Sequence, residues 1–98
     1  MRVSSIEKVL PCISDPWKLR VIAHLDEVPD LSLLTRYLGG RYSEGLGVLM
    51  VKYGNKELNI FNNGKVAIRR VKDVEEGEML INRILSMAYH KAMISEEL

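Results

Sequence analysis

Residues 62–65, Asn62-Asn63-Gly64-Lys65, lie between two short runs in which apolar and polar side chains alternate. Asn-Gly supplies the positive φ angles of a type I′ turn, the connection whose twist matches two antiparallel strands. The flanking runs complete the signal. In residues 57–61, Leu58 and Ile60 share one face, and Glu57, Asn59 and Phe61 the other. Residues 66–71 return as the second strand. The chain is thereby bound to antiparallel pairing, and a sheet of that kind can keep one face off the core.

The same alternation extends the sheet. In residues 19–25, Leu19, Val21, Ala23 and Leu25 point one way and Arg20, Ile22 and His24 the other. Residues 46–53 read as a second long strand, apolar on both faces as far as Lys52, and residues 41–43 as a short edge strand. Asp30 is placed to cap a helix over 31–38 that Gly39-Gly40 ends. Asp73, with Glu76 three residues on, opens a longer helix over 73–92. Its stripe of Gly77, Leu80, Ile81, Ile84, Leu85, Ala88 and Ala92 recurs at helical spacing. Near the N-terminus, Ser4 and Glu7 have capping-box spacing and Pro11 would stop a helix. The expected organisation is a single α+β domain: an N-terminal helical extension (1–17), a sheet-and-helix core (18–92) and a frayed tail (93–98). The core follows the order β-α-β-β-β-β-α, a curved five-stranded antiparallel sheet backed by helices.

At 98 residues the chain has the length of one domain. Charged residues make up 28% and the formal net charge is +1, so any basic surface must be local. A single cysteine, Cys12, excludes an internal disulfide and any cluster needing several thiolates from one chain. No cofactor and no metal are expected. No apolar run approaches the ~18 residues of a membrane span, and Glu7 and Lys8 interrupt the only apolar stretch that could begin a leader. A cytoplasmic protein without membrane attachment is expected.

The element order and several segments resemble one half of the TATA-box-binding protein fold, over roughly residues 19–85. Arg20-Val21-Ile22-Ala23-His24-Leu25 is similar to the family's first strand. Asn59-Ile60-Phe61-Asn62-Asn63-Gly64-Lys65-Val66 is similar to its Ile-Phe-Ser-Ser-Gly-Lys-Met hairpin. Lys72-Asp73-Val74-Glu75-Glu76 is similar to the opening of its long helix. The resemblance implies a single repeat where the full protein has two. In that family two phenylalanines per repeat wedge into the minor groove. Phe61 falls on one such position and Leu46 on the other, and Arg20 replaces the Asn that reads the groove floor. Reading of DNA by this chain would therefore require a homodimer. A looser resemblance runs through Leu10-Pro11-Cys12-Ile13-Ser14-Asp15-Pro16 with Lys18 and Arg20. It is to the start of the sheet domain in a family of small prokaryotic proteins, some of which carry a cysteine-rich iron–sulfur segment. This chain lacks that segment, so no cluster is implied.

The alternation sends Arg20, Ile22, His24, Leu46, Val48, Met50, Lys52, Glu57, Asn59, Phe61, Lys65, Ala67 and Arg69 to the face away from the helices. Such a face has an apolar centre and basic edges. Either residues 1–17, with Ile6, Val9, Leu10, Ile13 and Trp17, fold across it, or it meets another molecule. Cys12, His24 and His90 are the only side chains that suggest chemistry, and nothing in the sequence brings Cys12 and His24 together. No paired carboxylates, triad or ligand cluster can be assembled, so no enzyme is expected. The function expected is a non-catalytic interaction module that uses this face, or a sheet edge, to form a homodimer or dock a protein. The alternative is a nucleic-acid-binding homodimer forming a two-repeat saddle.

Overall fold

The computed structural model describes residues 2–12 and 17–97, with side chains described as far as residue 91. Six strands and two helices follow in the order β1 (Val3–Pro11), β2 (Leu19–Leu25), α1 (Leu31–Leu38), β3 (Arg41–Ser43), β4 (Val48–Tyr53), β5 (Lys56–Phe61), β6 (Lys65–Val71) and α2 (Val74–Glu97). The strands form one antiparallel sheet of order β1-β2-β6-β5-β4-β3. Both helices pack on the same face of it. Val21, Ala23, Leu49, Leu58, Ile60, Val66 and Ile68 meet Leu34 of α1 and Ile81, Ile84 and Leu85 of α2 in one core. Of the alternating residues opposite the open face, Val21, Ala23, Leu25, Leu58 and Ile60 are buried there, and Leu19 partly so. The burial of Ala92 lies outside the described residues.

The N-terminal segment is a strand and not the expected helix. β1 pairs with β2 along its length, making the sheet six-stranded where five strands were expected. Two register shifts, between Val3 and Ser5 and between Ile6 and Lys8, explain the misreading. Each inserts a residue, stretching the strand period from two to three. Val3, Ile6 and Val9, which pair with Leu25, Ala23 and Val21, therefore recur at a spacing that imitates a helix. The capping signal of Ser4 and Glu7 is worth about 1 kcal/mol. Docking on β2 supplies a whole ladder of backbone hydrogen bonds and places Val3 and Ile6 against the core. The long-range gain wins. The segment thus extends the sheet in its plane instead of folding across the open face.

The hairpin turn also differs from type I′. Gly64 has φ +91° while Asn63 keeps a negative φ, and the Gly64 N–H donates to the Phe61 carbonyl at 3.2 Å. This is a type I turn closed by a left-handed glycine, the three-residue alternative for the same sequence. The Asn63 side chain accepts from the Lys65 N–H at 3.0 Å and holds it. The helix starts follow expectation. Asp30 accepts from the N–H groups of Ser32 (3.1 Å) and Leu33 (3.2 Å). Asp73 accepts from Glu76 N–H at 2.8 Å, and the Glu76 carboxylate accepts from Lys72 N–H at 3.3 Å. α2 runs on to Glu97, past the expected boundary at 92 and through most of the segment expected to fray.

Candidate functional site: the open face of the sheet

Register fixes which side chains share the face away from the helices. One row crosses all six strands: Lys8, Ile22, Ala67, Asn59, Met50 and Arg41. At about 4.8 Å between strands this row spans about 24 Å and ends in a cation on each side. The next row carries Leu10, Arg20, Arg69, Glu57 and Lys52; on the opposite side lie His24, Lys65, Phe61 and Val48. Twelve of the thirteen side chains expected on this face are therefore carried by its strands. The exception is Leu46, which lies in the turn 44–47 ahead of β4 and is 78% exposed.

The apolar centre is drier than the sequence suggests. Ile22 and Val48 are each only 8% exposed and Ala67 is buried. Met50 keeps 38% of its surface and Phe61 is half-buried. Facing residues on a pleated sheet stand only ~5 Å apart, close enough for long side chains to shield short ones from water. Asn59, central in the row, makes no side-chain hydrogen bond among the described residues.

Charge is unevenly divided. The open face carries Lys8, Arg20, Arg41, Lys52, Lys65 and Arg69 against two carboxylates, Glu7 and Glu57. The whole chain is only +1, so the helices and loops hold the compensating acid. The two carboxylates are themselves engaged. Glu57 meets Arg69 Nη1 at 3.3 Å. Glu7, thrown onto this face by the second β1 bulge, meets His24 Nε2 at 3.2 Å and Lys65 Nζ at 3.6 Å. The hydrogen bond from His24, with the Lys65 charge behind it, holds the Glu7 carboxyl below its usual range. Lys8, Arg41 and Lys52 have no carboxylate partner among the described residues.

Arg20 lies beside an irregular stretch of β6. Two residues, Arg69 and Arg70, stand where β2 has one, and Arg70 takes φ +64°. Its N–H, turned out of the ladder, donates to the Sγ of buried Cys12 at 3.4 Å. The Nε of Arg20 is buried without an acceptor. Cys12 and His24 sit at opposite ends of β2 with different partners, and the structure does not bring them together.

At the β3 end the face opens into a cleft of about 550 Å³ lined by Leu38, Gly40, Arg41, Met50, Val51, Lys52, Glu57 and Asn59. Arg41 and the two β1 charges, Glu7 and Lys8, were missed in the sequence. β1 read as a helix, and a three-residue strand offers too little alternation to assign a face. The period-three run Val3, Ile6, Val9 is the signal that could have exposed the bulged strand.

Among the described residues no three His, Cys, Asp or Glu side chains converge, and no helix is long and apolar enough to cross a membrane. No protein family, curated protein or solved structure matches the chain.

Proposed function

We propose that the chain is a non-catalytic interaction module that docks an anionic partner on the open face of its sheet. The charge division carries this reading: six cations against two already paired carboxylates, on a protein of net charge +1. Complementary potential of this kind speeds encounter and selects partners. The element order from β2 onward supports the narrower description as a single-repeat half resembling the TATA-box-binding protein fold.

Self-association is less well served. Face-to-face pairing of two copies would oppose like charges, and much of the apolar strip is already covered within one chain. Edge-to-edge pairing would have to use β1 or β3, since β1 fills the edge beside β2. β3 has three residues. β1 is bulged twice and ends in Pro11, and its Val3 N–H is taken by Asn82 Oδ1 at 2.8 Å. Short length, bulges, charge and proline are the devices by which edges avoid pairing. The face is therefore the docking surface.

Retention on immobilised heparin, a generic polyanion, tests the proposal. The double variant Arg41→Glu, Lys52→Glu should elute at markedly lower salt than the parent. The equal charge change Arg83→Glu, Lys91→Glu, at exposed positions of α2, should have a much smaller effect. Equal losses from both pairs would mean that only net charge matters, and the face would lose its role. Light scattering at micromolar concentration reads any homodimer directly, and a dimer lost on Phe61→Glu would restore the face-to-face alternative.

A further inference from the structure

We infer that the anionic partner is a single-stranded nucleic acid lying across the open face, with one base in the cleft beside Asn59. The inference rests on the docking role proposed above and gives it a ligand. Three observations converge. First, Lys8 and Arg41 end a row whose four inner members, Ile22, Ala67, Asn59 and Met50, are uncharged, and in the next row Arg20 and Lys52 flank the mutually paired Arg69 and Glu57. A strand crossing the sheet along this row would set its outermost phosphates over the terminal cations and its bases over the uncharged middle. The ~24 Å width fits about four nucleotides, the low end of known single-strand site sizes. Second, Phe61, the chain's single phenylalanine, is half-buried on this face next to Val48. A fixed aromatic ring is a stacking platform for any base. Third, two polar groups lack partners. The Arg20 Nε–H is buried without an acceptor, and turning the guanidinium outward to a phosphate oxygen would satisfy it. The Asn59 amide offers both a donor and an acceptor in the cleft. The carboxylate of an acidic side chain would use only its donor half, whereas a base edge uses both.

The contacts offered favour a single strand over a duplex. The Phe61 ring acts on a base face and the Asn59 amide on a base edge, and both are free only where bases are unpaired. Unstacked bases can be splayed onto a sheet.

The experiment uses the full chain and four labelled probes: oligo-uridylate, oligo-thymidylate, a DNA duplex of mixed sequence and a polyglutamate peptide. Fluorescence anisotropy is read from 20 to 200 mM salt. Expected is binding of at least one single-stranded probe, tighter than duplex and peptide by about tenfold or more. The logarithm of affinity should fall with that of salt at a slope near −0.7 per phosphate contact. Arg41→Glu with Lys52→Glu should flatten the slope. Phe61→Leu, which keeps an apolar side chain but removes the ring, should weaken binding roughly 5- to 150-fold, and Phe61→Tyr should restore it. Circular dichroism melts confirm that each variant folds. Polyglutamate bound as tightly as the oligonucleotides would overturn the ligand assignment and leave anionic docking standing. Preference for duplex would overturn the single-strand assignment. Single-strand binding untouched by both the Phe61→Leu and Arg41/Lys52 changes would overturn its placement. No binding of any polyanion would remove both proposals.

Discussion

Gly77→Ala tests the contact between α2 and the sheet that fixes which face stays open. Two effects oppose each other. Alanine is favoured over glycine in a helix interior by about 0.8–1 kcal/mol, and Gly77 lies inside α2, its N–H bonded to the Asp73 carbonyl at 3.2 Å. A methyl at Gly77, however, would stand 3.2 Å from Val21 Cγ2, 3.3 Å from Val21 Cβ and 3.4 Å from Ile68 Cγ2. Comfortable carbon contacts lie at about 3.5–4.0 Å. Val21 and Ile68 have no exposed surface and sit on the adjacent central strands β2 and β6, where neither can move freely. Overpacking of such a site costs about 1–3 kcal/mol. The expected net effect is destabilisation by about 1 kcal/mol, or a fall of roughly 4–8 °C in Tm for a domain of this size. Thermal and urea unfolding by circular dichroism read it. The double variant Gly77→Ala, Val21→Ala supplies the internal control. Removing Val21 atoms makes room, so the cost of the alanine at 77 should shrink or reverse, with a coupling of about 0.5–1 kcal/mol. A Tm that rises in the single variant, or costs that simply add, would refute close seating of the helix on β2 and β6.

Other expected outcomes follow from single contacts. Ile6→Asp should destabilise the fold by about 2 kcal/mol, because Ile6 packs from β1 against the core; urea unfolding with no change would return the segment to an extension outside the sheet. In an NMR titration the Glu7 carboxyl should titrate below the range of a free glutamate and shift upward in His24→Ala. A lowered folded pKa means that this contact's contribution to stability is present above the unfolded pKa and lost as pH falls through the folded one; a Glu7 midpoint indifferent to His24 would contradict the geometry. Arg70→Gly relieves a left-handed backbone at φ +64°, worth about 1–2 kcal/mol, but frees the unfolded chain by about 0.4–1 kcal/mol. The result should range from neutral to about 1 kcal/mol more stable by the same unfolding assay. A loss above about 1 kcal/mol would mean that the long Arg70 Nη1 contact to the Asn55 carbonyl, at 3.4 Å, outweighs the strain.

Local chemistry and periodicity determined most of the architecture. Alternation in β2 and β5 sorts core from open face one residue at a time, and the period of two carries the assignment along the apolar runs of β4 and β6. Asp30 and Asp73 mark the helix starts because a cap is a contact over two or three residues. The Asn-Gly turn joins β5 to β6 whichever turn type it adopts. Tertiary structure decided what depends on distant partners. β1 became a strand because β2 offered it an edge, pairing residues as far apart as Val3 and Leu25, and two bulges hid that pairing from any test of alternation. The same pairing moved Glu7 and Lys8 onto the open face, where Glu7 meets His24 and Lys65. Burial on that face was equally beyond local reading. Ile22 and Val48 are each only 8% exposed, and a strand's own pattern carries no record of what its neighbours place beside it. The concentration of cations on one face of a nearly neutral chain belongs to the fold for the same reason: composition fixes the sum of the charges, and only the register of six strands fixes where they meet.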